Sequence, residues 1–138
     1  MVPVFQTIIS VESLDIQPNY KLSSAFDALA ELQDGWLDGA GVAPDKDRLS
    51  LITDEIVTHY PEGLALPAIV PTPEGNILLE WHTAGSPSVD LNLDSFMAEY
   101  HAFTPDGGDI EHTFELVGAD QWQTFFVFLE SNVGDDQA

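Results

Sequence analysis

The sequence predicts an α+β domain: two N-terminal helices, an antiparallel meander of four to five strands, and one C-terminal helix packed on one face of the sheet. Three observations lead there. Apolar residues recur at helical spacing between Lys21 and Tyr60. They alternate with polar ones between Ala68 and Leu116, the period of a sheet with one buried face. Helical spacing then returns around Trp122. Helices grouped apart from a run of strands define the α+β class.

The elements follow in chain order. Val2 to Ile16 is rich in β-branched residues and is read as an edge strand or arm, broken by Pro18 and Asn19. Lys21 to Gln33 is predicted helical, with Ala25, Leu29, Leu32 and Trp36 as its apolar stripe and Asp34-Gly35 as its stop. Pro44 occupies the place of a first-turn proline, with Asp45 and Asp47 near the positive end of the next helix dipole. Leu49, Ile52, Ile56 and Tyr60 give that helix its buried side, and Pro61 ends it.

Ala68 to Thr72, hemmed by Pro67, Pro71 and Pro73, is an edge or entry strand. After the turn Pro73-Glu74-Gly75-Asn76, Ile77, Leu79 and Trp81 alternate with Leu78, Glu80 and His82. Val89, Leu91 and Leu93 alternate with Asp90, Asn92 and Asp94. Met97 to Phe103 is the next strand, and Asp106-Gly107-Gly108-Asp109 turns into the last, lined by Ile110, His112, Phe114 and Leu116. Trp122, Phe125, Phe126 and Leu129 then mark the third helix. Residues 1–133 are expected to form one compact domain, with 1–19 as the edge strand or arm and 134–138 as a frayed acidic tail.

Composition excludes several functions. The 138 residues hold 24 Asp+Glu against 3 Lys+Arg, a formal net charge of −21, and no cysteine. Disulfide frameworks and thiolate metal sites are therefore absent. Only Lys21, Lys46 and Arg48 could meet phosphates, so neither direct nucleic-acid binding nor an anionic membrane surface is expected. No apolar run of about 18 residues occurs, and the N-terminus lacks a signal-peptide pattern. The expected location is the cytoplasm. At 44% hydrophobic residues the chain is too apolar for a disordered acidic tail.

Two stretches carry a resemblance. Gly35-Trp36-Leu37-Asp38-Gly39-Ala40-Gly41 with Ala43-Pro44, and Pro71-Thr72-Pro73-Glu74-Gly75-Asn76-Ile77 ending Leu79-Glu80-Trp81, resemble an uncharacterised bacterial protein family with G-W-L-D-G-x-G and P-T-P-E-G…E-W motifs. Ala98-Glu99-Tyr100-His101-Ala102 is similar to that family's third strand, where Trp is more usual than Tyr100. The resemblance runs from about Ala30 to Leu129 and implies a single compact domain. It lends no activity, substrate or partner.

Three motifs have chemical potential. The Gly35–Gly41 stretch could cradle an anion at the following helix N-terminus. Its spacing, its position after a helix and the acidic surroundings favour a structural loop instead: Gly35, Gly39 and Gly41 at positive φ, Asp38 bonding loop amides and Trp36 plugging the core. Glu80, His82, Glu99 and His101 could meet on the solvent face of the sheet and hold a divalent metal, although no H-x-x-x-H spacing supports them. Asp90-Leu91-Asn92-Leu93-Asp94-Ser95 resembles the start of a calcium loop but lacks its glycine and its twelfth-position Glu. No serine lies in a nucleophile-elbow pattern. No catalytic residue, metal ligand or cofactor is assigned.

Charge is the strongest functional signal. A small domain needs a net charge of only about 2 to 8 for solubility. On a strand, acids two apart are about 6.8 Å apart, comparable to phosphates along a nucleic-acid strand. Glu80, Asp90, Asp94, Glu99, Glu111 and Glu115 are the expected partner-binding residues. The function expected is a non-enzymatic acidic inhibitor of a basic protein such as a toxin, a nuclease or a nucleic-acid-binding enzyme. It would be of antitoxin, nuclease-inhibitor, phage anti-defence or nucleic-acid-mimic type. A small metal- or carboxylate-dependent enzyme and a salt-adapted housekeeping domain are the alternatives.

Overall fold

The computed structural model describes residues 17–133. The expected N-terminal edge strand or arm over residues 1–16 and the expected frayed tail over 134–138 lie outside the described residues. Helices α1 (Gln17–Ala30) and α2 (Lys46–His59) precede five strands: β1 (Ala68–Pro71), β2 (Ile77–Glu80), β3 (Ser88–Leu91), β4 (Met97–Phe103) and β5 (Asp109–Glu115). Helix α3 (Ala119–Asn132) closes the described chain. All strand pairs are antiparallel, in the order β1-β2-β3-β4-β5, so the sheet is a pure meander.

The alternation of the strands fixes which face is covered. Ile77, Leu79, Trp81, Val89, Leu91, Ala98, Tyr100 and Ala102 are buried on the inner face. Against them pack Leu22, Phe26 and Leu29 of α1, Leu49, Ile52 and Ile56 of α2, and Trp122, Phe125, Phe126 and Leu129 of α3, in one contiguous core. The helices thus form one layer and the sheet the other.

Three expectations change. Helix α1 begins at Gln17 rather than Lys21, because Pro18 falls in its first turn, where a missing N–H breaks no intrahelical bond. It ends at Ala30, so its buried stripe is Leu22, Phe26 and Leu29; Leu32 and Trp36 lie beyond it. Pro44 stands outside α2, whose N-cap is Asp45, its carboxylate accepting from the Arg48 N–H at 3.0 Å. Tyr60 caps the other end in extended conformation, as the following Pro61 requires.

The Gly35–Gly41 loop is a miniature hairpin. Leu37 and Ala40 exchange backbone bonds of 2.8 and 2.9 Å, and Gly35 N–H donates to Gly41 O at 2.8 Å. Its two-residue turn, Asp38 at φ 50° and Gly39 at φ 92°, has the positive φ values of a type I′ turn. Asp38 therefore acts through its backbone conformation. The expected side-chain bonds to loop amides come instead from Asp34, whose Oδ1 accepts from Ala43 N–H at 2.9 Å. Trp36 does not plug the core. It is half-buried, and its Nε1–H donates to Val42 O at 3.0 Å. The Gly35–Pro44 stretch touches the Pro71–Ile77 stretch. Val42 N–H donates to Pro73 O at 2.8 Å, and a Cβ on Gly75 would lie 3.2 Å from Val42 Cγ1 and 3.3 Å from Ala43 O.

Candidate functional site: the acidic outer face of the sheet

Register places the candidate residues on the outer face in cross-strand rows. Leu78, Asp90, Glu99 and Thr113 share one row; Glu80, Ser88, His101 and Glu111 share the next. Glu115 stands opposite Met97, and Asp109 opposite Phe103. Residues directly opposite each other in an antiparallel pair have Cβ atoms about 4.5–5.5 Å apart. Asp90 and Glu99 are therefore closer than acids two apart on one strand, and the dominant rows run across strands rather than along them.

Asp94 does not belong to this face. Strand β3 ends at Leu91, and Asp94 lies in the turn to β4, where its backbone carbonyl receives Arg48 Nη1 at 2.8 Å. In the same turn Asn92 Oδ1 accepts from the N–H groups of Asp94 at 2.9 Å and Ser95 at 3.0 Å. The calcium-loop resemblance is thereby accounted for as a local turn. The alternative grouping of Glu80, His82, Glu99 and His101 is not brought together as one set of ligand atoms among the described residues. Among the described residues, the set of three whose ligand atoms all lie within 4.8 Å of one another is His101, Asp109 and Glu111. His101 Nε2 lies 3.6 Å from Asp109 Oδ1, and its ring meets Phe103 edge-on at 4.8 Å between centroids. Asp109 escaped the sequence reading because β5 starts one residue earlier than Ile110. Its position two before Glu111 was the available signal.

The electrostatics follow from what surrounds each acid. Burial raises the Asp90 carboxyl above the ordinary carboxylate range, and the charges of Glu99 and Glu74 add to it. Asp106, in the β4–β5 turn, is lowered by hydrogen bonds from the Thr104 hydroxyl and Gly108 N–H. Cations do not offset the face. Lys46 Nζ donates to Ala30 O and Leu32 O at the end of α1. Arg48 donates to Leu93 O and Asp94 O and lies 5.6 Å from the Phe96 ring centroid. Among the described residues no Lys or Arg pairs with a carboxylate; the two close pairs, His59–Glu55 at 3.8 Å and His101–Asp109, both use histidine.

Apolar side chains interrupt the acids. Val70 and Phe103 are exposed on the same face, and Leu78 is half-buried there. On the helical side, two adjoining grooves of about 330 and 420 Å³ run beside α2 and α3, sharing Glu55, Ala119 and Trp122 as lining. No helix among the described residues is long and apolar enough to cross a membrane. Comparison with protein-family models, with curated proteins and with solved structures gives no match for this chain.

Proposed function

We propose that this chain is a non-enzymatic acidic binding protein that occupies a basic surface of a protein partner, of the antitoxin, nuclease-inhibitor or anti-defence type. One observation carries the reading. Glu80, Asp90, Glu99, Asp109, Glu111 and Glu115 share one exposed sheet face that has no Lys or Arg, while Lys46 and Arg48 are engaged with backbone carbonyls elsewhere. Carboxylates without a Lys or Arg partner on one sheet face create a strong one-sign field, which steers an oppositely charged partner and makes association salt-sensitive. Val70, Leu78 and Phe103 add apolar area, which such an interface needs in addition to charge.

The test is a low-salt pull-down followed by affinity measurement in rising salt. A basic protein should be captured, and its affinity should fall steeply once the Debye length shrinks below about 10 Å. Replacing Glu99, Glu111 and Glu115 with Gln should weaken binding and flatten the salt dependence. Asp27→Asn, Asp54→Asn and Glu130→Gln, on the helices, should do neither. Equal effects of the two sets would mean that net charge alone attracts the partner. Capture of a neutral or acidic partner, indifferent to salt, would overturn the proposal.

A further inference from the structure

The two edges of the sheet are built differently. Strand β1 is four residues long and ends at Pro71, with Pro67 before it and Pro73 after it. Proline cannot donate to a ladder, so this edge is blunted. Strand β5 is seven residues long, and the chain has no proline after Pro105.

Two bonds that flank the β4–β5 ladder set its phase: Thr104 N–H to Gly108 O at 2.9 Å and Leu116 N–H to Phe96 O at 2.8 Å. Gly108 and Leu116 thus direct their backbone groups at β4. By alternation Ile110, His112 and Phe114 do the same. The N–H and C=O of Asp109, Glu111 and Thr113 therefore point away from the sheet, as does the N–H of Glu115, whose C=O accepts from Val117 N–H at 3.1 Å. Side chains of these same residues stand on the acidic outer face. On the other side of the edge, a groove of about 150 Å³ between β5 and α3 is lined by Phe114, Glu115, Asp120, Gln121 and Thr124.

We infer that the β5 edge receives an extended segment of the basic protein partner as a sixth strand, with Lys or Arg at alternate positions facing Asp109, Glu111 and Glu115. This inference rests on the functional reading above and adds the mode of contact. Strand addition draws affinity from main-chain hydrogen bonds and specificity from alternate side chains. Opposite charges directly across a strand pair stabilise it, and like charges destabilise it. A second copy of β5 would bring acids against acids, so the edge selects a basic strand and rejects itself. The partner's intervening side chains, small and apolar, face the groove floored by Phe114.

The experiment uses the full chain and a seven-residue peptide of alternating lysine and valine as probe. A second peptide is the same sequence N-methylated at alternate residues, which keeps the charge and removes the edge-facing N–H groups. Amide exchange at Asp109, Glu111 and Thr113 should slow roughly tenfold or more with the first peptide, and the methylated peptide should bind far more weakly. Thr113→Pro should lose the probe while keeping the β4–β5 ladder, because the Thr113 N–H points outward; the wild-type exchange result stands even if this variant misfolds. Equal binding of both peptides, or binding with exchange at these amides unchanged, overturns the strand-addition mode and leaves the acidic-binder reading intact. Slow exchange already present in the free protein also overturns it, since a second copy or the chain's own residues 1–16 would then cover the edge. Failure of any basic segment to bind at low salt overturns both.

Discussion

At Trp81 the indole is 1% exposed, and its Nε1–H donates to Ala65 O at 2.8 Å and lies 3.2 Å from Tyr60 Oη. The Tyr60 hydroxyl donates to the same carbonyl, and burial holds that phenol well above its ordinary pKa. Three groups, from the end of α2, the following loop and the residue just after β2, are thereby tied together. Trp81→Ala should cost about 3–5 kcal/mol, the usual range for emptying a buried aromatic site. Trp36→Ala should cost only about 1–2 kcal/mol, because a half-buried indole with one hydrogen bond leaves less behind. Urea denaturation of the two variants checks the order; a larger loss at Trp36 would mean that the hairpin loop is itself a core element. Sequence could not rank these two residues. Trp36 fits the extrapolated stripe of α1, and only the early end of that helix removes it from the core.

Among the elements, α2 depends most visibly on local chemistry. Asp45 supplies its N-cap, Asp47 lies in its first turn, and Lys46 reaches back to carbonyls at the end of α1. Asp45→Ala should lower stability by about 1 kcal/mol, since one N–H of the first turn loses its acceptor. Thermal melting of this variant beside Asp54→Asn, an exposed mid-helix acid, separates the cap from the charge. An equal change in both would assign the effect to charge alone. The strands were legible for a different reason: period 2 leaves one choice of face. Met97 to Phe103 is both the predicted and the observed β4. Boundaries are less legible where proline has two meanings, as at Pro18, which can break a strand but also fits the first turn of α1, where it stands.

For the molecule as a whole, the charge acts on stability as well as on partners. Asp90 has a raised carboxyl, first through burial and then through Glu99 and Glu74. A raised carboxylate pKa means that the folded state binds protons more readily than the unfolded one, so stability grows as pH falls toward the carboxylate range. The gain is complete below the unfolded Asp value of about 3.9. Asp106 works in the opposite sense: its lowered carboxyl stabilises the fold above that value and ceases to as pH falls through its folded pKa. The melting temperature should therefore rise as pH falls from 7 toward the carboxylate range, and less so in Asp90→Asn. Added salt at pH 7 should also raise it by screening the unpaired acids. Differential scanning calorimetry across both variables checks this, and a flat response would mean that the acids are too dispersed to repel.

Sequence by itself determined the α+β class, the strand alternation, the buried side of α2 and α3, and the excess of acid, because periodicity and composition are properties of neighbouring residues. Tertiary structure decided what lies across from what. Asp90 meets Glu99, and His101 meets Glu111 with Asp109 beside them, through a register that depends on the lengths of two hairpin turns. Asp94 left the acidic face because β3 stops at Leu91, and Lys46 and Arg48 donate to backbone carbonyls that lie far from them in sequence. Each of these outcomes depends on residues distant in sequence, and pair distances of that kind are set by packing rather than by local pattern.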